Sequence, residues 1–302
     1  MAHSIKISIV TPSFNQAQYL EEAMRSVLSQ DYPNLEYIVV DDSSTDNSRD
    51  IIKKYSSRIN FLINEKNMGL GFALNKGFQS SSGEVMGWLN ADDLYFPWTL
   101  ATISEIFSKY PQVEWLTTET PTVADASGKN LIHRVFLNLG KKAYRNGLYL
   151  PGRGNCITQE STFWRRSLWK KTGGYIDKNF LNIPDFELWS RFWEAADLYS
   201  VPVPLGIFRQ HANQKTSLIF ASCCEEAQAV WRKHHGHFPP RPLHLLQSIK
   251  VRVPVFNAIA LLRNKNRIIE YGHGAIKWYS LMLNLRRIAG LLRSLRKKFN
   301  QS

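Results

Sequence analysis

The chain has 302 residues, of which 44% are hydrophobic, so it is long enough to bury a sizeable core and too apolar to be disordered. Its formal net charge of +13 is unevenly spread, because residues 241–302 carry 13 Lys and Arg against a single acid, Glu270, which leaves residues 1–240 near neutral at +1. This distribution argues against a nucleic-acid-binding protein and favours a catalytic domain with a basic anchor.

The first 110 residues alternate predicted strands and helices. Short apolar runs predict strands over 5–10, 35–40, 59–63 and 84–89, and helical spacing or capping patterns predict helices over 16–29, 46–55, 70–79 and 98–110, the last opened by Pro97. Strands that recur about every 25 residues with helices between them indicate βαβ units and a mostly parallel central sheet.

The second half of the chain is less regular. Residues 113–119 resemble a strand, and the sequence then has no clear pattern until Gln159. Helices are predicted over 167–172, closed by Gly173 and Gly174, and over 186–196. A run of prolines at 239, 240 and 242 predicts a domain boundary, with a catalytic domain over 1–240 and a basic helical extension over 241–302.

The extension mixes basic and apolar residues. Over 281–299 the apolar residues recur every three or four positions with Arg and Lys between them, a pattern typical of an amphipathic helix on an acidic membrane surface. The alternative is a helix packed on the catalytic domain with a solvated basic face. Nucleic-acid binding is disfavoured, because aromatic stacking platforms are absent.

The remaining features suggest a cytoplasmic protein. The N-terminus lacks the pattern of a signal peptide, and no run reaches the roughly 18 apolar residues of a membrane span. The three cysteines, Cys156, Cys223 and Cys224, have no metal-ligand spacing and fit free thiols in a reducing compartment.

Polar side chains follow three of the predicted strands. They are Thr11, Pro12, Ser13 and Asn15 after the first strand, Asp41 and Asp42 after the second, and Asn90, Asp92 and Asp93 after the fourth. Each cluster alone could be a turn or a helix cap, but the carboxyl ends of parallel strands share one edge, where ligands bind. Clustered carboxylates there predict Mg²⁺ or Mn²⁺ and a phosphate-containing ligand.

These residues carry a resemblance to the family 2 glycosyltransferases, which invert the anomeric centre and have the GT-A fold. The matching blocks are SIVTPSFNQAQYLEEAMRSVLSQDYPNLEYIVVDDSSTDNS, NMGLGFALNKGFQSSSGEVMGWLNADD, QESTFWRRSLWKKTGGYID and IPDFELWSRF, over roughly residues 5–215. The resemblance implies that the strand-end residues Thr11, Pro12, Ser13 and Asn15 cradle the nucleotide and that Asp42 meets the base or ribose.

The family's metal-binding motif is Asp-x-Asp, and here its two positions are Asn90 and Asp92. The resemblance implies that Asp92 and His211 bind the metal and that Asn90 contacts the nucleotide, although Asn90 lacks the charge of the usual aspartate. Asp41 and Asp93 are secondary candidates. His211 could equally be an ordinary core or surface histidine.

Asp185 matches the family's catalytic base, with a helix N-cap as its alternative role. Glu187 is the second candidate for the base, although its i, i+4 spacing from Arg191 suggests a structural pair. Gln159 lies in the block that lines the acceptor side and could pack or contact substrate.

The sequence thus predicts a metal-dependent transferase that uses a nucleotide-diphosphate sugar, with UDP-sugar favoured, and a glycan or lipid-linked acceptor at the cytoplasmic membrane face. The alternatives are a noncatalytic relative, which Asn90 would favour, and a nucleotidyltransferase, which lacks support because no Gly-rich, Lys-containing loop follows the first strand. A dinucleotide-binding oxidoreductase is excluded, because Leu74 stands where its third glycine belongs.

Overall fold

The structure is a computed structural model that describes residues 4–151, 155–212, 214 and 219–236. The predicted boundary near residue 240 and the basic extension lie outside these residues. The strands are β1 (Ile7–Ser13), β2 (Leu35–Asp41), β3 (Asn60–Ile63), β4 (Val85–Trp88), β5 (Leu94–Tyr95), β6 (Trp115–Thr118), β7 (Thr122–Ala124), β8 (Leu131–His133), β9 (Phe163–Arg165), β10 (Leu198–Val201) and β11 (Gly206–Arg209). The helices are α1 (Ala17–Leu28), α2 (Ser48–Lys53), α3 (Leu70–Gln79), α4 (Thr99–Lys109), α5 (Gly140–Arg145), α6 (Arg166–Lys171), α7 (Pro184–Ala195) and α8 (Phe220–His235), with a 3₁₀ turn at Gln159–Ser161.

The central sheet has seven strands in the order β10-β6-β9-β4-β1-β2-β3. Strands β1, β2, β3 and β4 pair in parallel, as do β6 and β10, whereas β9 runs antiparallel to both of its neighbours. The predicted mostly parallel sheet is therefore confirmed, with β9 as an antiparallel insertion. A second sheet has four strands in the order β5-β11-β7-β8.

Both faces of the central sheet are buried, which explains the uninterrupted apolar runs in β1 and β2. Along β1, Ile7 and Ile9 pack into one apolar cluster with side chains of α1 and α4, whereas Val10 packs into the other with side chains of α3 and α7. Successive strand residues point to opposite faces, so one strand serves both layers.

Stacked aromatic side chains fix α7 on the sheet. The ring of Trp189 lies 6.1 Å from that of Trp88, the last residue of β4, and 5.8 Å from that of Trp115 on β6. Trp193 lies one turn further and packs edge-on against Trp115 at 5.1 Å. This packing holds the first turn of α7, which contains Asp185, near the chain that leaves β4.

Several boundaries differ from the prediction. The fourth helix begins at Thr99 with Trp98 as its N-cap, so Pro97 lies outside it. The region without a clear pattern contains β7, β8 and α5, and α8 was not predicted. None of the helices in the described ranges has the length and apolarity to cross a membrane.

We predict that Gly77→Ala destabilises the protein. A Cβ at this position in α3 would press into Val10 Cγ1 and lie 3.2 Å from Val40 Cγ2. Overpacking costs about 1–3 kcal/mol, which exceeds the gain of about 1 kcal/mol from the helix propensity of alanine. Thermal unfolding should show a lower midpoint than the wild type. Gly71→Ala, whose Cβ would meet nothing nearer than 3.2 Å, is the control and should cost less; equal midpoints for both variants would contradict the packing account.

Candidate active site at the carboxyl edge of the sheet

Parallel pairing brings the predicted polar residues to one edge of the sheet. Ser13 lies opposite Asp41 in the β1–β2 register, and Val10 lies opposite Trp88 in the β1–β4 register. The chain that leaves β4 toward Asn90 therefore runs beside the end of β1.

The end of β1 contains both satisfied and unsatisfied polar groups. Buried Thr11 accepts a hydrogen bond from the Tyr37 hydroxyl at 3.0 Å, and Asn15 Oδ1 accepts one from the Thr45 amide at 2.8 Å. Asn15 has a positive φ of 52° and precedes the N-cap of α1, so it is not the cap. Ser13 Oγ is buried without a hydrogen-bond partner in the described part of the chain. The Ser13 hydroxyl therefore has unused hydrogen-bonding capacity at this edge.

The two adjacent aspartates after β2 make different contacts. Asp41 is fully buried and accepts from Arg49 Nε at 2.7 Å and from the Ser44 amide. Asp42 accepts from the side-chain amide of Asn64 at 2.7 Å and from the backbone amides of Met68 and Gly69 at 3.0 and 2.7 Å. Asp41 therefore stabilises its own loop, and Asp42 holds the loop that leads into α3.

A cavity of about 630 Å³ lies on the α3 side of Asp42. Asn64 and Met68, which donate to Asp42, line it together with Phe72, Lys76, Tyr175 and other residues of α3 and the 175–179 segment. The Asp42 loop thus forms one wall of an open space next to the edge.

Asp92 pairs with His211. Asp92 Oδ2 lies 3.1 Å from His211 Nε2, although the two residues are 119 positions apart in the chain. The His211 ring packs against Tyr19 with a centroid distance of 4.5 Å, and its Nδ1 is buried without a described partner. The predicted metal ligands are therefore neighbours.

Asp93 is buried next to this pair. Its carboxylate accepts from the Arg209 amide at 3.0 Å and from Asn90 Nδ2 at 3.2 Å. Burial, followed by the charges of Asp92 and Glu160, raises the pKa of Asp93 well above its ordinary value. A proton on Asp93 relieves the crowding of negative charge.

Asn90 acts as a donor, which explains why an asparagine fits this position. Its Nδ2 donates to Asp93 and, at 3.0 Å, to Gln159 Oε1, while Gln159 Nε2 donates to the Trp88 carbonyl at 2.6 Å. An aspartate at position 90 could not donate and would add a further charge beside Asp92 and Asp93. Gln159 therefore links the 3₁₀ turn to the end of β4.

Glu160 was not predicted from the sequence as a site residue. It is only 3% exposed, and burial, together with the charge of Asp185, raises the pKa of its carboxyl group above the usual range. A side chain on Gly206 would collide with the Glu160 carbonyl at 2.5 Å, so glycine permits this close approach. The only signal in the sequence was its position beside Gln159 in the QEST block.

Asp185 lies inside the first turn of α7. The N-cap of α7 is Ile183, so Asp185 is not the cap. Burial raises the pKa of Asp185 to about 6, while the backbone amide of Phe186 offsets part of that effect. The charge of Asp185 raises the pKa of Glu160, and the charge of Glu160 raises the pKa of Asp93. The three carboxyl groups are therefore electrostatically linked.

Glu187 makes structural contacts. It is fully buried and accepts from Arg191 Nε and Nη2 at 3.0 and 2.8 Å and from Lys233 Nζ of α8 at 3.2 Å. Burial alone would raise the pKa of Glu187, but His234, Arg191 and Lys233 lower it. A carboxylate occupied in this way is a poor proton acceptor, and the contacts favour the pair with Arg191.

The described residues contain no group of three or more His, Cys, Asp or Glu side chains placed to hold a metal ion. Asp92 and His211 supply one carboxylate and one imidazole. Mg²⁺ and similar ions are commonly held by one or two protein ligands together with substrate phosphates and water. The pair therefore fits a metal that is completed by a phosphate ligand.

The family profile described as Glycosyl transferase family 2 matches residues 8–172. An uncharacterised glycosyltransferase of Rickettsia typhi is 29% identical over 232 residues, which cover 76% of this chain and 71% of that protein. One from a Nostoc species is 42% identical over 106 residues, which cover 34% of this chain and 33% of that protein. TuaG of Bacillus subtilis, named for teichuronic acid biosynthesis, is 40% identical over 90 residues, or 29% of this chain and 36% of that protein. The chain thus spans about a third of the length of these last two relatives.

Two solved structures are similar in fold. TarS residues 1–349 of S. aureus in complex with UDP-GlcNAc has a TM-score of 0.58 at 18% identity, covering 76% of this chain and 68% of that chain. The mannosyltransferase PcManGT of Pyrobaculum calidifontis, in complex with GDP-Man and Mn²⁺, has a TM-score of 0.57 at 16% identity, covering 94% of this chain and 88% of that chain.

We predict that Glu187→Gln lowers stability and leaves the chemistry of the folded protein largely unchanged. Removing one partner of a buried ion pair costs about 3–5 kcal/mol, because the guanidinium of Arg191 and the ammonium of Lys233 lose their counter-charge. Urea unfolding checks this value. Glu194→Gln on the same helix is the control, since Glu194 is 43% exposed where it meets Arg145 and should contribute about 1 kcal/mol or less. Similar stability losses for both variants would contradict the structural role of Glu187.

Proposed function

The chain belongs to glycosyl transferase family 2 and has the GT-A fold, and on this basis we propose that it transfers a sugar from a nucleotide-diphosphate-sugar donor to an acceptor hydroxyl with inversion. The observation that carries this proposal is the arrangement of the sheet edge. The Asp92–His211 pair and the carboxyl group of Asp185, with its raised pKa, belong to one edge and are linked through Glu160 and Asp93. A leaving-group site and a base are the two parts that such a transfer needs.

The donor in this proposal is a UDP-sugar. The choice of a UDP-sugar is supported by the similar structure of TarS, which was solved in complex with UDP-GlcNAc. In this chain the nucleotide would contact Thr11, Pro12, Ser13 and Asn15 at the end of β1, together with Asp42 and Asn90. The unpartnered Ser13 hydroxyl favours this location, because a ligand hydrogen bond would remove the cost of burying it.

A divalent ion, Mg²⁺ or Mn²⁺, would be held by Asp92 and His211. Its support is the pairing of these two side chains and the Mn²⁺ in the PcManGT complex. When bound, such an ion offsets the negative charge that develops on a departing diphosphate. Burial and the charges of Asp92 and Glu160 raise the pKa of Asp93, which disfavours a second negative charge beside the ion.

Asp185 is proposed as the base. Inversion requires the acceptor hydroxyl to attack from the side opposite the leaving diphosphate, and a carboxylate there takes the hydroxyl proton as the new bond forms. A pKa of about 6 leaves Asp185 ionised at neutral pH while making it a stronger base than an ordinary aspartate. Burial, with a smaller contribution from the charge of Asp185, raises the pKa of Glu160 to about 7.

The acceptor in this proposal is a growing cell-surface polysaccharide or a lipid-linked glycan at the inner face of the membrane. Its support is the similarity to TuaG, named for teichuronic acid biosynthesis, and the basic composition of residues 241–302. The basic residues of this extension would be attracted to acidic lipids.

Asp185→Asn should lower turnover by at least ~10², a typical contribution of a general base, because an amide cannot take the acceptor proton. Donor affinity should stay near that of the wild type. In the wild type, kcat/KM should fall as the pH drops below about 6, since protonation removes the base. Rates of sugar transfer measured between pH 5 and 8 check both points. If Asp185→Asn keeps most of its turnover while Glu187→Gln loses it, the base must be reassigned to Glu187.

Asp92→Ala should abolish metal-dependent transfer and weaken donor binding, because one of the two protein ligands is removed. Transfer by the wild type should stop in excess EDTA and return with Mn²⁺ or Mg²⁺. Asp50→Ala, at an exposed position on α2, is the matched control and should retain wild-type rates. Full activity in EDTA would refute the role of the metal.

A further inference from the structure

Strand β8 lies at the edge of the four-stranded sheet and projects from the body of the protein. Residues 129–135 are all exposed, including every residue of β8. The backbone hydrogen bonds continue beyond β8 to the residues that precede β7. The Arg134 amide donates to the Pro121 carbonyl at 2.7 Å, and the Phe136 amide donates to the Glu119 carbonyl at 3.0 Å. An ordered, extended segment therefore presents its side chains to solvent.

This segment exposes an unusual amount of apolar surface. The exposed fractions are 39% for Leu131, 63% for Ile132, 51% for Val135 and 39% for Leu137. Side-chain alternation places Leu131, Val135 and Leu137 on one face and Ile132 on the opposite face, where buried Phe136 anchors the segment further along. Over residues 129–135 the side chains of both faces are exposed, so Ile132 and Leu131 both meet solvent near the end of the hairpin. An exposed strand face normally carries polar residues, so contiguous apolar side chains here indicate a contact surface.

The charge around the apolar segment is mostly positive. Residues 125–145 include five Lys and Arg and one acid, Asp125, whose carboxylate accepts hydrogen bonds from Ser127 and Asn130 of the same turn. Lys141 and Arg145 contact Glu194 of α7, whereas Lys129, Arg134 and Lys142 are exposed and form no ion pair with the described residues. Exposed apolar side chains bordered by unpaired cations match the interface of an anionic bilayer, where acyl chains lie below acidic headgroups. A second copy of the chain would instead set positive charge against positive charge.

We propose that residues 129–137, together with Lys142, form a membrane-docking surface that inserts Leu131, Ile132 and Val135 into the interface of an acidic lipid bilayer. This segment lies in a different part of the sequence from the basic extension at 241–302. We call it the β8 docking surface.

The β8 docking surface is joined to the candidate site through one sheet. Strand β5 begins directly after Asp93, and β11 ends two residues before His211. Both belong to the sheet that β8 borders. Docking would therefore orient the site relative to the bilayer, which serves a lipid-linked acceptor. Only this consequence rests on the proposed function, because vesicle binding does not require sugar transfer.

The test is depth-dependent fluorescence quenching on the full chain. Ile132→Cys is labelled with an environment-sensitive dye in a background where Cys156 and Cys224 are replaced by Ser. The labelled protein is mixed with vesicles of phosphatidylcholine alone or of phosphatidylcholine with 30% phosphatidylserine. Both kinds of vesicle carry a spin-labelled lipid as the quencher. Ser57→Cys, exposed between α2 and β3 next to the far edge of the central sheet, is the matched control. We expect quenching and a blue shift at position 132 with acidic vesicles, and neither at position 57.

Co-sedimentation supplies a second readout. Changing Leu131, Ile132 and Val135 together to Ser should weaken binding to acidic vesicles at least ~10-fold, since apolar area no longer leaves water, while Ile63→Ser should not. Wild-type protein that binds acidic vesicles while position 132 stays unquenched would overturn the proposal, and so would a failure to bind. A wild-type dimer that the triple variant converts to a monomer would also overturn it, because the occupant would then be a second copy.

Discussion

Repulsion between carboxylates at one sheet edge is the constraint on which the rest of the site depends. Asp92 and Asp93 follow β4 at this edge, Glu160 comes close to Asp93 from the 3₁₀ turn, and Asp185 comes close to Glu160 from the first turn of α7. Burial of this series without matching cations must be relieved by protons or by a bound cation. Raised pKa values at Asp93, Glu160 and Asp185, and the partnership of Asp92 with His211, are the two forms that this relief takes.

Some of the buried acidic side chains have cationic partners and act as structural groups, whereas others have none among the described residues and are candidates for chemistry. Asp41 is occupied by Arg49, and Glu187 is occupied by Arg191 and Lys233. Asp185 lies two residues before Glu187 on the same helix, yet burial raises the pKa of Asp185, whereas neighbouring cations lower that of Glu187. The stacking of α7 on the sheet through tryptophans makes this contrast possible, because it fixes which side chain faces the cations of α8 and which faces the edge.

The strands that contain long apolar runs could be predicted from the sequence, whereas the strands of two or three residues could not. Strands β1, β2 and β4 are buried over most of their length and therefore give continuous apolar signals, whereas β3 at the sheet edge is half-buried but keeps a short apolar run. The parallel pairing of these four strands is confirmed. Strands β5, β7, β8 and β9 have two or three residues, too few to establish a period. Glu160 was missed for a related reason, since its importance comes from burial beside Gly206 and Asp185, which are distant in the chain. Only the family resemblance predicted that His211 would lie close to Asp92.

The proposed role of this edge, binding of a nucleotide with the help of a divalent ion, can be tested by calorimetric titration of UDP into the full chain. With Mn²⁺ present, UDP should bind with a measurable affinity that weakens at least ~10-fold, or about 1.4 kcal/mol, when the metal is replaced by EDTA. Ser13→Ala should weaken binding in the presence of metal, because the hydroxyl that has no partner among the described residues would no longer meet the ligand. Equal affinity with and without metal, or no binding of UDP under either condition, would refute a metal-assisted nucleotide site at this edge.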